Sequence, residues 1–575
     1  MRRFTVSVLA LGTVLSLPAI AQDAQPRTDA SVGATAAQDA GPVEVPSPSL
    51  ALPAEAPKID SAEAPKPPAP AAFQLAEEIQ DRLKRERVTG ADREDRDEAA
   101  KVYDTRAGVP LWVTEAGLTA KALALMGEIR NADNYGLVAS AFRLPEPLAA
   151  GASRAALADA DVTLTLAALK YARHARGGRL DPISLNKNLD RKPVLFAPAT
   201  ILAELATAPN PDSYLRSFHP RHPQFERLRL KYVAVRAGQT VLDQPAPAPP
   251  AAAEQPAGKG KAAKSTPPAP KTLTNAQLER KLLANLEMWR WMPLELGDYY
   301  IQNNIPEYTT RMVRGGKTVH LERIVTGKVE NQTPVFSDEM EHLVFKPFWN
   351  VPTSIKWKEL QPQLMRNPDA LSRAGLRAAY NGREVNPATI DWSTADMRAF
   401  HVFQPPGSAN ALGQVKFMFP NKHDVYMHDT PHKALFNNPA RAYSHGCMRV
   451  RDPLKFAELL LSHDKGWSMQ QVVQAANNGP DNNEIKLTRK IPVHVTYFTT
   501  WVDEDGKLKV FNDIYGHETR VHLGLEGKAH LIVNPREEKY VPPSRGGPAF
   551  VQKSPWWGGS SGSSDANWMK NVFNF

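Results

Sequence analysis

Cysteine is almost absent from this sequence, since Cys447 is the only one among 575 residues. A disulfide within the chain is therefore excluded, and so are zinc sites built from several cysteines. A cysteine without a partner is a candidate reactive thiol, although a lone cysteine is more often a small buried apolar residue. The neighbouring motifs must decide between these two interpretations.

Long apolar runs are also missing. The run at residues 6–20 is too short for the ~20 residues of a membrane-spanning helix, and it contains Pro18. It follows two arginines and ends in Ala19-Ile20-Ala21, which is typical of a signal peptide with cleavage after Ala21. We therefore expect residues 1–21 to direct export.

Basic residues form no stripe along the chain, although the formal net charge is +9. No zinc finger, recognition helix or aromatic-basic motif accompanies the charge, so nucleic acid is excluded as a partner. A basic exported protein is drawn instead to anionic polymers of the cell envelope.

Three stretches have compositions that are biased away from those of a packed core. Residues 22–72 and 239–271 are rich in proline and alanine, and residues 535–575 are rich in glycine, serine and proline. Such compositions predict a disordered tether, a linker and a flexible tail. Two folded domains remain, at residues 73–238 and 272–534.

Periodicity predicts an α+β protein in which the first domain is mainly helical. A helix is predicted to begin after Asp161, because apolar residues then recur at helical spacing, and to end at Gly177. Thr274-x-x-Gln277 is a capping-box pattern that opens the second domain. The period then shifts towards two, which predicts strands, except at residues 354–400, where a helical insertion is expected.

The cysteine lies in a motif that contains several side chains able to take part in catalysis. Residues 444–449 read Ser-His-Gly-Cys-Met-Arg, and residues 428–430 read His-Asp-Thr. A thiol attacks well only as thiolate, and at a pKa near ~8.5 a few per cent is ionised at neutral pH unless a base assists. His445 shares a face with Cys447 in an extended segment, whereas His428 reaches it only through a loop. Either histidine could be that base.

A metal site is the alternative interpretation of the histidines. His423, His428, His432 and His445 lie close together in sequence, and His428 with His432 has the spacing used by zinc proteases. Thr430-Pro431 predicts a short helix at residues 431–436, so this pair straddles a helix boundary. No glutamate follows His428 as a general base. We therefore predict neither a metal nor a cofactor.

The two motifs together resemble the signature of YkuD-type L,D-transpeptidases. Residues 135–140 and 171–182 are similar to the scaffold domain of the large YcbB-like members from Gram-negative bacteria. The resemblance implies a mostly β catalytic domain whose helical insertion caps the active-site groove, and a periplasmic location. It also implies roles for particular residues: Cys447 as nucleophile, His428 as base, His445 as a further site residue, and Tyr426, Ser444 and Gly446 as substrate or oxyanion contacts. Arg449 is expected either to hold a substrate carboxylate or to form an ion pair that braces the loop.

What the resemblance implies is acyl transfer on peptidoglycan, with tetrapeptide stems as donor and acceptor and carbapenems as inhibitors. A thioester on Cys447 would release D-alanine and pass to an amine, which gives a 3→3 crosslink. Water as acceptor would instead make the protein an L,D-carboxypeptidase, and an envelope protein as acceptor would make it a wall-anchoring enzyme. A non-catalytic wall-binding protein is the alternative of another class.

Overall fold

The computed structural model describes residues 74–242 and 273–534. The signal peptide at 1–21, the tether at 22–72, the tail at 535–575 and all of the linker after residue 242 lie outside the described residues. The boundaries proposed for the two domains remain predictions.

The first described stretch is helical and is organised around one long helix. Its core is formed by apolar side chains of this central helix, α4, and of the helices around it. The helices are α1 Ala76–Arg85, α2 Gly90–Thr105, α3 Ala120–Arg130, α4 Arg154–Gly177, α5 Pro182–Leu185, α6 Pro198–Thr207, α7 Pro211–Arg216 and α8 Pro223–Arg236, and a small hairpin joins β1 Val113–Thr114 to β2 Gly117–Leu118.

The start predicted for the central helix was wrong. Helix α4 begins at Arg154, where the Ser153 side chain accepts a hydrogen bond from the Ala156 N–H. Asp161 lies inside the helix and is buried, and its carboxylate accepts hydrogen bonds from the backbone N–H groups of Leu111 and Trp112. Asp161, which the sequence suggests as a helix cap, thus accepts hydrogen bonds from the backbone of a distant loop instead. The predicted end at Gly177 is confirmed.

The second stretch is built on one large sheet. Its strand order is β13-β5-β14-β12-β11-β6-β15-β3-β4, and β4 also pairs with β5, so the sheet closes into a barrel with β13 attached outside the ring. The strands are β3 Tyr299–Asn304, β4 Thr309–Arg314, β5 Lys317–Gly327, β6 Ser337–Phe345, β11 Val415–Met418, β12 Met427–His428, β13 Ala442–Ser444, β14 Met448–Val450 and β15 Asn483–Thr496, and a separate hairpin pairs β16 Thr500–Val502 with β17 Leu508–Val510.

Helices pack against the barrel, and one of them carries the predicted capping box. The Thr274 hydroxyl accepts a hydrogen bond of 3.2 Å from the Gln277 N–H at the start of α9. Apolar residues of α8, among them Phe225 and Leu228, lie in the same core as Trp289 of α9. The barrel helices are α9 Asn275–Arg290, α13 Pro453–Lys465, α14 Met469–Asn478 and α15 His517–Leu525.

The insertion between β6 and β11 has a small core of its own. It contains helices, as predicted, but also a four-stranded sheet, which the sequence analysis missed. The signal was present as Asn381-Gly382, whose left-handed backbone (φ 49° and 76°) forms the tight turn of a hairpin. The elements are β7 Trp349–Asn350, α10 Thr353–Ile355, a π-helical turn Lys356–Leu360, α11 Gln361–Arg366, α12 Ala370–Arg373, β8 Arg377–Tyr380, β9 Arg383–Val385 and β10 His401–Gln404.

The short helix expected at residues 431–436 is a 3₁₀ turn at Lys433–Asn437, so His432 stands just before it. Within the described residues, no helix has the length and apolar character needed to cross a membrane.

Candidate active site

The strand register brings the two sequence motifs together. Strand β12 runs parallel to β14, with His428 opposite Arg449 and Met427 opposite Met448. Both methionines are fully buried in the barrel core. Because successive side chains of a strand point to opposite faces, His428 and Arg449 point away from that core. The thiol of Cys447, immediately before β14, interacts electrostatically with Arg449 and Lys416, the two cross-strand neighbours of His428, so it lies on the same outer side as His428.

The turn that carries Cys447 is fixed by hydrogen bonds on both sides. Gly446 has a φ of 121°, a backbone conformation that side chains rarely adopt. The Ser444 hydroxyl accepts from the Gly446 N–H at 3.1 Å and donates to the Cys447 carbonyl at 2.5 Å. Ser444 and the Gly446 N–H, both predicted to contact substrate, are thus engaged in shaping this turn.

Thr333, which the sequence analysis missed, orients the peptide bond between Gly446 and Cys447. Its hydroxyl donates to the Gly446 carbonyl at 2.7 Å. In a trans peptide the carbonyl and the following N–H point in opposite directions, so the Cys447 N–H faces away from Thr333. This N–H has no acceptor among the described residues, and it is available to a developing oxyanion.

Cys447 is a protonated thiol at neutral pH. Burial raises its pKa to about 11, although hydrogen bonding from Tyr426 and the charge of Arg449 act in the opposite direction. The thiol also donates a weak hydrogen bond, at 3.9 Å, to the Asp424 carbonyl. Tyr426 therefore contacts the sulfur itself, and a protonated thiol needs a base before it can act as a nucleophile.

His428 has the protonation state that such a base requires. Its Nδ1–H donates to the Asp429 carbonyl at 2.5 Å, and because a carbonyl only accepts, the lone pair lies on Nε2. Burial, together with the charges of Arg449, Lys433 and Lys416, lowers the pKa of His428 to about 3. The imidazole is therefore neutral and able to accept a proton.

The Asp429 carboxylate holds the backbone that fixes His428. It is buried and accepts hydrogen bonds from the N–H groups of Gln414, at 2.9 Å, and Thr430, at 2.6 Å, while Lys433 lies 2.5 Å away. It also packs so closely on Gly413 that a Cβ there would lie 2.2 Å from it. Asp429 thus supports the carbonyl that selects the His428 tautomer.

His445 bonds to a different element. Its Nε2 lies 2.6 Å from Oε1 of Glu359, which belongs to the π-helical turn of the insertion. The sequence left open whether His428 or His445 is the base. The lone pair of His428 lies on Nε2, away from Asp429, whereas His445 links the turn at Cys447 to the insertion.

Two cations flank His428 on the outer face of the barrel. Arg449 lies opposite it on β14 and is buried, and burial lowers its pKa to about 10. Lys416 lies opposite it on β11, with its Nζ 5.9 Å from the ring centre of Tyr426. Lys416 was missed because an isolated lysine in a strand carries no signal.

The four clustered histidines do not converge. His423 bonds to Asp190 at 2.8 Å, His428 to a backbone carbonyl and His445 to Glu359. Over residues 74–242 and 273–534, no group of three or more histidine, cysteine, aspartate or glutamate residues is placed to hold a metal ion.

Comparison with known families agrees with this architecture. Residues 298–475 match the L,D-transpeptidase catalytic domain of the YkuD family, and residues 97–231 match a scaffold domain. The chain therefore carries a scaffold domain followed by a YkuD L,D-transpeptidase catalytic domain.

A curated Haemophilus influenzae protein, provisionally named an L,D-transpeptidase, is 29% identical over 255 residues, which is 44% of this chain and 51% of that protein. The match thus spans about half the length of the relative. A solved L,D-transpeptidase from Mycobacterium smegmatis is 12% identical over 35% of this chain and 58% of its own, with a TM-score of 0.16. The solved Ldtfm-avibactam carbamoyl enzyme is 15% identical over 36% of this chain and 51% of its own, with a TM-score of 0.15. TM-scores this low support no conclusion about this chain.

Proposed function

We propose that this chain is a peptidoglycan L,D-transpeptidase that forms 3→3 crosslinks through a thioester on Cys447. The sulfur attacks the carbonyl that joins the third and fourth residues of a tetrapeptide stem. D-Alanine leaves, and the acyl group passes to the side-chain amine of a diaminopimelate residue in a second stem. Tetrapeptide stems are therefore both the donor and the acceptor.

The observation that carries this proposal is the shared outer face of Cys447 and His428. As the sulfur bonds to the carbonyl carbon, its proton passes to Nε2 of His428, and the Cys447 N–H stabilises the oxyanion. When the tetrahedral intermediate collapses, that proton moves to the departing amine of D-alanine. In the second half, His428 takes a proton from the attacking amine, and the thiol is restored as the thioester breaks.

The pKa values of Cys447 and His428 determine when these protons are transferred. The pKa is about 11 for Cys447 and about 3 for His428, so both groups are neutral at rest and a thiolate–imidazolium pair is disfavoured. The proton therefore moves to His428 during the attack. The nearby positive charge of Arg449 destabilises the resulting imidazolium, so the proton leaves again quickly. Each proton taken is quickly returned to a leaving group.

The site of action follows from the same proposal. Peptidoglycan stems lie outside the cytoplasmic membrane, and the signal-peptide pattern at residues 1–21 is consistent with export to the periplasm. Carbapenems present a strained acyl group to the same thiol, so we propose that they acylate Cys447.

One experiment tests the proposal and its rivals together. The purified protein and its Cys447→Ala variant are incubated with disaccharide-tetrapeptide, and the products are analysed by mass spectrometry. A crosslinked dimer with loss of one D-alanine, absent with the variant, is the expected result. A tripeptide alone identifies a carboxypeptidase, and unchanged substrate contradicts catalysis and favours a wall-binding protein. A stem joined to an added envelope protein, without dimer, identifies a wall-anchoring enzyme.

A further inference from the structure

Asp190 lies within the stretch that matches the scaffold domain, yet its side chain contacts the catalytic barrel. Its Oδ2 is 2.8 Å from Nε2 of His423 and 2.8 Å from Nζ of Lys422. Burial raises the pKa of Asp190, but hydrogen bonds from Lys422 and His423 outweigh this and lower it below its usual value. A charged carboxylate from the scaffold stretch therefore binds the loop between β11 and β12.

The two contacts of Asp190 differ in how strongly they hold the loop. The Lys422 side chain is 70% exposed, and ion pairs in that setting contribute little. The His423 side chain is 19% exposed, and its ring packs 5.1 Å from that of Phe336. His423 is thus the anchor through which Asp190 holds the loop.

This loop delivers groups that touch the nucleophile. Asn421 braces it from within, because its Nδ2 donates to the carbonyls of Phe419 and Val425 at 2.6 and 2.7 Å. Asp424 then adopts a left-handed backbone, with φ of 54°, and its carbonyl accepts from the thiol of Cys447. The next residue but one is Tyr426, which hydrogen-bonds to the same sulfur.

The residues beside Asp190 bind a second loop that also supports the nucleophile. The Val335 N–H donates to the Asn188 carbonyl at 2.7 Å, and the Asn188 side chain donates to Oε1 of Gln332 at 3.1 Å. Between them stands Thr333, whose hydroxyl orients the Gly446 carbonyl. Asn188 and Asp190 therefore hold two loops, one of which contacts the Cys447 thiol and the other the Gly446 carbonyl.

We propose that Asp190 is a positioning residue for Cys447, and that through His423 the scaffold stretch sets the orientation of the β11–β12 loop against the thiol. The inference rests on the proposed function only where acyl transfer is measured, because the reactivity of the thiol can be followed without any peptidoglycan substrate.

The test compares thiol reactivity with stability in the full-length protein. Asp190→Ala, His423→Ala and the double variant are prepared, with Asp190→Asn as the isosteric alternative should Asp190→Ala fail to fold. Ile201→Val, in the core of the first stretch and without a contact to the loop, is the control for lost stability, and Glu295→Gln, exposed and without an ion pair in the described chain, is the control for lost charge. For each protein, alkylation of Cys447 by iodoacetamide is followed over pH, together with carbapenem acylation and Tm.

Asp190→Ala and His423→Ala are each expected to slow acylation about tenfold to a hundredfold, the cost of misplacing reacting groups. Their alkylation profiles should move to higher pH, because hydrogen bonding from Tyr426 lowers the pKa of the thiol. The double variant should be no slower than either single variant, since one interaction is removed twice. The controls should keep the wild-type profile, even where Ile201→Val lowers Tm.

An Asp190→Ala or Asp190→Asn profile that superimposes on that of the wild type overturns the inference, whatever the change in Tm. Effects of Asp190→Ala and His423→Ala that multiply in the double variant also overturn it, because the two residues then act independently. A wild type that carbapenem does not acylate counts against the proposed function alone, since the alkylation profiles still decide the role of Asp190.

Discussion

The hydroxyl of Thr333 donates a 2.7 Å hydrogen bond to the carbonyl of Gly446, a residue 113 positions later in the chain. Thr333 is fully buried and also accepts from the Gly327 N–H at 2.9 Å, so its hydroxyl has little freedom to rotate. A loop of the barrel that carries no catalytic side chain thus fixes the direction of the Cys447 N–H.

Replacing Thr333 by valine keeps the shape of the side chain and removes this hydrogen bond. We expect acylation by a carbapenem to slow about tenfold to a hundredfold, because the oxyanion donor loses its orientation. Stopped-flow acylation measures the rate, with Thr318→Val, an exposed threonine on β5, as the matched control. Equal rates in the two variants would contradict the role of Thr333.

The thiol should show the reactivity of a high-pKa cysteine. Because burial raises the pKa of Cys447 to about 11, alkylation by iodoacetamide should keep rising with pH beyond 9 rather than level off near neutrality. Mass spectrometry should find one adduct per chain and none in Cys447→Ala. A plateau already reached at pH 7 would mean that the resting enzyme holds a thiolate.

The two histidines can be told apart by substitution. His428→Ala should slow carbapenem acylation by about 10²–10⁴-fold, the usual loss on removal of a general base, most clearly near neutral pH. His445→Ala loses its partner Glu359 but leaves the base in place, so a smaller loss is expected. If His445→Ala abolishes acylation while His428→Ala barely slows it, the assigned roles are reversed.

The insertion should move independently of the barrel. It has a core of its own, and a contact with the nucleophile turn runs through Glu359 and His445. Hydrogen exchange at residues 354–400 should be faster than in the barrel strands and should slow when a carbapenem is bound. Glu359→Gln should speed exchange in the unliganded protein, with Glu384→Gln, in the hairpin of the insertion, as the control. Equal exchange with and without inhibitor would assign the insertion no part in closing the groove.

Stability should fall as the solution becomes acidic. Burial lowers the pKa of His428 and His517 to about 3 and that of His222 and His494 to about 4, whereas an unfolded histidine titrates near 6.5. Between pH 6.5 and 4 the unfolded chain therefore binds more protons than the folded one, and the free energy of unfolding decreases as pH falls.

Each of these histidines contributes a slope of up to about 1.4 kcal/mol per pH unit in that window. Asp161 acts in the opposite direction, because burial raises its pKa to about 6, but it is outnumbered. Urea unfolding of Cys447→Ala at pH 7.5, 6 and 5 measures the trend. A free energy of unfolding that stays constant from pH 7.5 to 5 would contradict it.

Features encoded within a few residues were readable from the sequence. The capping box at Thr274 forms as its pattern predicts. The expectation of a helical stretch followed by a mostly β domain is confirmed. The histidine and cysteine motifs also proved to lie on neighbouring strands, His428 on β12 and Cys447 just before β14.

Features that depend on contacts between distant segments were not readable. Thr333, Asp190 and Glu359 are ordinary polar residues among their sequence neighbours, and their contacts form only when the barrel closes and Glu359 of the insertion reaches His445. Asp161 shows the converse, because a residue with the local appearance of a helix cap became a buried acceptor for the N–H groups of Leu111 and Trp112. Local propensity is overridden where a buried donor needs a partner.

The core that α8 shares with α9 sets a limit on exchanging parts between proteins that combine these two domains. A chimera that keeps this barrel but takes its first domain from a relative must retain Phe225 and Leu228 or supply equivalents, because both belong to the core that contains Trp289. It must also retain residues 186–191, whose contacts reach both loops beside the thiol. The unit that can be transplanted therefore begins well before the capping box at Thr274, inside the stretch that the scaffold family describes.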